Sequence, residues 1–252
     1  MDRHDNGSHP DLTYARMRAS VHLLPAYYAD LFAQLRAGRP LRSCVEAGRR
    51  AEARMVARVD TNCHRGYIFL SGLALVGAYR AQCDIRRLSG AVADAAREFF
   101  RIVPAEDSHG SQARRAFAVG GIRREAEAGL PAVFDAAWPH YASSLRQAGD
   151  RRRAAYHAMA ALMQRVEDTT ALHRCGFAGL TRLQTDGQVL QALLDRGNDP
   201  RAFLAQSNDA YRQLGLTMGG VADCLALTFA LEECFMEDTS ELSFPRKESI
   251  TV

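Results

Sequence analysis

Residues able to do chemistry gather in six short polar stretches that interrupt an otherwise helical pattern. They are Asn6-Gly7-Ser8-His9 with Asp11; Asn62-Cys63-His64-Arg65-Gly66; Ser108-His109-Gly110; Gly121-Ile122-Arg123-Arg124-Glu125; Glu167-Asp168-Thr169-Thr170 with His173-Arg174; and Thr217-Met218-Gly219-Gly220 with Asp223. Each has an ordinary structural use. Thr or Asn before a helix is an N-cap, and Asp223 in a first turn complements the helix dipole. Glu125 pairs with a neighbouring arginine, and His109 beside a glycine is loop. Taken together, the stretches are an inventory for gripping a polyphosphate. Helix starts and glycine-opened backbone offer N–H groups to anions. Arg65, Arg123 and Arg174 can each take a pair of phosphate oxygens. Glu125, Asp168 and Asp223 are candidate Mg²⁺ ligands, because Mg²⁺ held on phosphates needs only one or two protein carboxylates.

The common phosphate-binding motifs are absent. There is no GxxxxGK[ST] and no GxGxxG following a strand, and neither GxSxG nor HExxH occurs. A nucleotide bound here would sit on a helical scaffold. The six cysteines show no CxxC spacing, which excludes a zinc ribbon and a disulfide framework and suits free thiols in a reducing cytosol. The net charge of +3 is small and its basic residues are spread along the chain, so nucleic acid is not an expected partner. Nearly all of those residues are arginine, which favours forked recognition of phosphate or carboxylate. The opening MDRHDNGSHP is polar rather than signal-like. The apolar run 67–79 is too short to span a bilayer. A cytoplasmic protein without a membrane partner is the expectation.

The elements that must position these residues are helices. Apolar residues make up 47% of the chain and charged residues 24%, enough for a sizeable core. Val21, Leu24, Tyr28, Leu31, Phe32 and Leu35 recur at three- and four-residue steps, predicting a helix over 20–36 that ends at Arg39-Pro40. Further helices are predicted over 41–58, 66–82, 87–103 and 112–128, then 131–148, 151–166, 176–196, 199–214 and 221–236. The 66–82 helix is apolar on most sides, as a central helix would be. Alternating strand patterns are missing. The reading is all-α: a single-domain bundle over 1–236, with roughly ten helices around a central apolar one, then a loose tail over 237–252.

Read in order, the six stretches resemble the triphosphoribosyl-dephospho-CoA synthase family. NGSHPDL (6–12) is similar to the family's NGAHxDM, TNCHRGYIF (61–69) to NTHKGxIF, and SHG (108–110) to THG. GGIRREAEAGLP (120–131) is similar to GxRxEAxxGFP, VEDTTALHRCG (166–176) to DTNxxxRGG, and LTMGGVADCLALT (216–228) to LSPGGSADLLAxT. Arg65 replaces the usual Lys, Cys63 a Thr, Met218 the Pro of SPGG, and Thr170 the Asn of DTN. A preceding family segment with a Pro-Gly loop is expected to be lacking. The resemblance implies an enzyme that moves the triphosphoribosyl group of ATP onto the 2′-hydroxyl of 3′-dephospho-CoA and releases adenine. The product is the prosthetic-group precursor for the acyl carrier subunits of citrate lyase or malonate decarboxylase. The resemblance also implies Mg²⁺ and the site residues. Glu125, Asp168 and His64 would be catalytic, and Asn62, Arg65, His109, Arg123, Arg174, Gly219 and Gly220 would hold the nucleotide. Asn6, His9 and Asp11 would form an N-terminal motif, and Glu125, Asp168 and Asp223 would share the metal. A homodimer is compatible with this reading. Two alternatives stay open: a divergent triphosphoribosyl transferase with another hydroxyl acceptor, or a helical nucleotide-binding protein without catalysis.

Overall fold

In a computed structural model that describes residues 5–104 and 109–235, helices follow one another with short turns, and no strand occurs among the described residues. In chain order they are α1 (Tyr14–Val21), α2 (Leu24–Arg36), α3 (Leu41–Val59), α4 (Arg65–Arg80), α5 (Ile85–Ile102), α6 (His109–Phe117) and α7 (Gly121–Glu127). A π-helical turn (Ala132–Ala137) then leads into α8 (Trp138–Ala148), α9 (Arg151–Arg165), α10 (Thr169–Asp195), α11 (Arg201–Leu214) and α12 (Gly219–Phe235). The all-α expectation agrees with this architecture. The expected tail at 237–252 falls outside the described residues.

Three element boundaries differ from the periodicity, each for a local reason. The helix predicted over 20–36 is two, because Pro25 occupies the first turn of α2 and cannot donate to a preceding turn. The helix predicted over 112–128 breaks between α6 and α7, where Ala118 (φ 54°) and Gly121 (φ 56°) are left-handed. The helix predicted from 176 starts instead at Thr169, because Asp168 caps it. Gly176, at φ 61° and ψ −161°, then kinks α10, a conformation that costs glycine little.

The main core is an apolar cluster drawn from α2 to α5, α7, the π turn, α8 to α10 and α12, and a smaller one joins Ala113 of α6 to Leu172 and Leu180 of α10. α4 packs against α2, α3, α5 and α12, and α9 against α8, α10, α12 and the π turn. Fully buried Leu31, Met55, Leu70, Leu162 and Leu190 anchor these contacts, each side chain contributing about 1.5–3 kcal/mol. The packing brings the starts of α4, α7, α10 and α12 to one side of the bundle. No described helix is long and apolar enough to cross a membrane.

Candidate active site

Asp168 organises the site from within. It is fully buried. Its Oδ1 accepts from the N–H groups of Thr170 (2.9 Å) and Ala171 (3.0 Å), capping α10. Its Oδ2 accepts from Val221 N–H at 2.9 Å, capping α12. One carboxylate therefore ties together two helix starts that lie far apart in sequence. Burial pushes its carboxyl up, while the N–H groups of Val221, Ala171, Thr170 and Gly220 pull it back. Glu167, the preceding residue, serves α7 in the same way. Its Oε2 accepts from Gly120 N–H (3.0 Å) and Gly121 N–H (3.1 Å), and its Oε1 pairs with Arg124. Acidic groups at helix starts complement the positive end of the dipole.

Asp223 lies in the second turn of α12, past the first turn where it was expected to complement the dipole, and reaches across to α4. Its carboxylate accepts from Tyr67 N–H and lies against the backbone of Gly66, where any Cβ would overlap it. Only glycine permits that approach. Burial, with the negative charge of Asp168 nearby, pushes the Asp223 carboxyl up to about 7. One side of it opens on a cavity of about 670 Å³, within the usual range for a small-molecule site.

Five arginines line that cavity (Arg49, Arg65, Arg101, Arg114 and Arg123), against two carboxylates, Glu52 and Asp223. Thr169, Thr170 and Gly220 complete the wall at the starts of α10 and α12. Burial and the neighbouring Arg123 hold the Arg114 guanidinium below its usual range. Like charges held this close favour an anion between them. Arg123 also donates to Glu127 Oε1 at 3.1 Å and stacks over Phe100 at 4.6 Å, which fixes its plane.

The expected site residues separate into groups. Arg65, Arg123, Gly220 and Asp223 line the cavity. Gly219 lies beside it, packed against the Thr170 hydroxyl. Asn62 stands next to the cavity, with its Nδ2 donating to Glu52 Oε2 at 3.0 Å. His64 turns the other way. Its Nε2 is 2.9 Å from the buried Ser20 hydroxyl of α1, and burial lowers its imidazole. Glu125 Oε1 takes the N–H of Ala132, capping the π turn, and burial raises its carboxyl. Arg174 Nη1 donates to Ser8 O (3.0 Å) and Gly215 O (3.2 Å), tying the N-terminal motif to the turn before α12. Within that motif, burial and the nearby Arg174 lower His9, Asn6 O accepts from His9 N–H at 3.4 Å, and Asp11 Oδ2 accepts from the Thr61 hydroxyl at 3.0 Å. His109 opens α6, and its side chain is outside the described residues, as is Ser108. Among the described residues no three His, Cys, Asp or Glu side chains gather as a metal-binding group. Glu52 and Arg114 are cavity residues that the motifs do not mark. Each sits mid-helix in an ordinary charged pattern, and only the fold turns it inward.

A family model described as ATP:dephospho-CoA triphosphoribosyl transferase matches residues 1–241. A probable 2-(5″-triphosphoribosyl)-3′-dephosphocoenzyme-A synthase of Pseudomonas syringae pv. tomato is 34% identical, over 90% of this chain and 81% of its own. The probable synthase of Azotobacter vinelandii is 35% identical over 92% and 83%. The synthase of Klebsiella pneumoniae is 35% identical over 92% and 86%. No solved structure matches the chain. A match over nearly the whole length, with relatives above 30% identity on both counts of coverage, places this chain in the ATP:dephospho-CoA triphosphoribosyl transferase family.

Proposed function

We propose that the arginine-lined cavity binds the triphosphate of ATP and that Asp223 handles the proton as the triphosphoribosyl group passes to the 2′-hydroxyl of 3′-dephospho-CoA. The observation that carries this reading is the meeting of Asp223, with its carboxyl near 7, and Arg65, Arg114 and Arg123 in one cavity. In the reaction the glycosidic C1′–N9 bond of ATP breaks and a C1′–O2′ bond to the acceptor forms. The 2′-hydroxyl proton moves to Asp223, and adenine departs with the bonding electrons and takes up a proton. A base with a pKa near the working pH is well matched to that transfer. Positive charge developing at C1′ is eased by a carboxylate at hand, as in glycoside cleavage. The intact triphosphate is a remote handle: its contacts with Arg114 and Arg123 place C1′ for attack without taking part in bond changes.

The three carboxylates expected to share Mg²⁺ do not form a resident site. Asp168 is enclosed by backbone N–H groups, Glu125 caps the π turn, and Asp223 alone opens on the cavity. A magnesium ion carried in on the triphosphate would arrive as part of the substrate. Asp168 acts by holding α10 and α12 in place, one step removed from the reacting atoms.

Chromatographic detection of free adenine from ATP, Mg²⁺ and 3′-dephospho-CoA tests the reading. Adenine should appear only when both nucleotides are present. Arg123→Ala should slow it about a hundredfold, the loss of one charge-assisted phosphate contact. A folded wild-type chain that releases no adenine refutes the assignment.

A further inference from the structure

The cavity changes character along α4. Near the α4 N-terminus its walls are Arg65, Asp223 and, from α3, Glu52. Beyond that they turn to carbon, with Ile68, Leu73 and Val76 of α4 and Leu41 and Val45 of α3. Glu52 stands beside Arg65, and Gly48 beside Ile68, so the two helices run in opposite directions along the cavity. From Arg65 to Val76 the α4 axis advances about 16 Å at its usual rise per residue. That is a slot for a long, thin ligand portion rather than a compact one.

Gly48 marks the slot. It sits in the interior of α3, where glycine weakens a helix relative to alanine. A Cβ there would meet only Ile68 Cγ2, at 3.8 Å, an ordinary contact. Packing within the protein therefore does not demand the glycine. Gly72, across the slot on α4, differs, because a Cβ there would overlap the Tyr27 hydroxyl.

Resting on the triphosphoribosyl-transfer reading, the geometry points to this apolar length as the seat of the acceptor's pantetheine arm, with Gly48 setting its bore. The departing adenine needs hydrogen-bond partners on its edge and a proton donor. The apolar length offers no carboxylate for this: the Tyr27 hydroxyl already donates to Ile68 O at 3.0 Å, Cys44 is a buried thiol, and Arg49, next to Gly48, pairs with Glu46 at 3.6 Å and has no acceptor for the base edge. Both cavity carboxylates lie at the other end, where the bond changes and the base leaves. The arm forms and breaks no bond, and its methyl, methylene and thiol groups suit carbon walls. Binding it remotely helps to position the 2′-hydroxyl.

Three variants test this. Gly48→Leu fills the slot, Gly48→Ala narrows it, and Gly90→Ala, on the exposed side of α5 with nothing within 4 Å, is the control. Calorimetric binding of dephospho-CoA, of ATP, and of ADP as the nucleotide lacking the arm is measured alongside each KM and melting temperature. Gly48→Leu should weaken dephospho-CoA about tenfold or more, as a filled hydrophobic pocket does, and leave ATP and ADP unchanged. Gly48→Ala and Gly90→Ala should both melt higher than wild type, and only the first should weaken dephospho-CoA. Weakening of ATP instead would put the donor's base in the slot and overturn the proposal. Unchanged binding of every ligand in a variant that melts normally would overturn it too. Should Gly48→Leu not fold, Gly48→Ala carries the test. Calorimetry needs no turnover, so a wild-type chain that binds dephospho-CoA but releases no adenine sinks the reaction while the slot is still decided on its own.

Discussion

Replacing Asp223 with Asn should stabilise the protein while it disables the reaction, and the stability gain should depend on pH. The folded protein holds the Asp223 proton up to about pH 7, whereas the ordinary value is 3.8. Between those values the folded state carries one more proton than the unfolded chain. Raising the pH through that window therefore favours unfolding, and above about 7 the full cost of the buried charge is present. The interval corresponds to about 4 kcal/mol as an upper limit. Residual order in the unfolded chain and access of the carboxylate to the cavity reduce it, so about 1–3 kcal/mol should be recovered. Asn keeps an oxygen to accept from Tyr67 N–H and removes the repulsion with Asp168. Thermal unfolding should then show Asp223→Asn melting about 5 °C above wild type at pH 8, the gap shrinking to about a third of that at pH 5 and closing towards the ordinary value of 3.8. Adenine release should fall by about 10²–10⁴-fold, the usual worth of a general base, while in the wild type it should rise as pH passes through about 7. A variant less stable at pH 8, or equally shifted at both pH values, would refute the account of Asp223 as a carboxyl raised by burial.

Asp168→Ala leaves the starts of α10 and α12 without their shared cap and buries unpaired N–H groups. At about 1 kcal/mol per cap and about 1–3 for the orphaned donors, the loss should be about 3–5 kcal/mol; a shift below about 1 kcal/mol in urea unfolding would remove Asp168 as the tie between them. Gly66→Ala should cost about 1–3 kcal/mol from overlap with the Asp223 carboxylate, and Asp223→Ala in the same chain should recover most of it, a coupling that a double-mutant cycle reads directly. Arg174→Ala should keep adenine release near wild type and lower stability by about 1 kcal/mol, the two backbone carbonyls it serves being left to water; a hundredfold loss of rate at unchanged stability would bring Arg174 back to the phosphate.

Periodicity at 3.6 residues and the absence of alternation made the helices legible, because helix formation responds to neighbours within a turn or two. The polar stretches were legible for the same reason, although the cap that Asp168 supplies to α10 was not: the helix is predicted only from 176, and it starts at Thr169. What neighbours in sequence do not determine is which of two helix starts a carboxylate serves. Asp168 caps the start beside it and another 53 positions away, and nothing between residues 168 and 221 announces the pairing. Ala118 is left-handed although it is not itself a glycine, and the N–H groups of Gly120 and Gly121 that follow it go to the distant Glu167. Arg123 and Arg174 look alike as candidate clamps, yet one lines the cavity and the other fastens the N-terminal segment. Glu52 reads as helix surface until α4 packs beside it. The direction in which a long side chain points depends on which helix face is left uncovered after packing, and packing is a property of distant segments meeting. Local sequence thus settles what each helix is and where its charges sit, and only the tertiary assembly selects the few that face one another across a shared space.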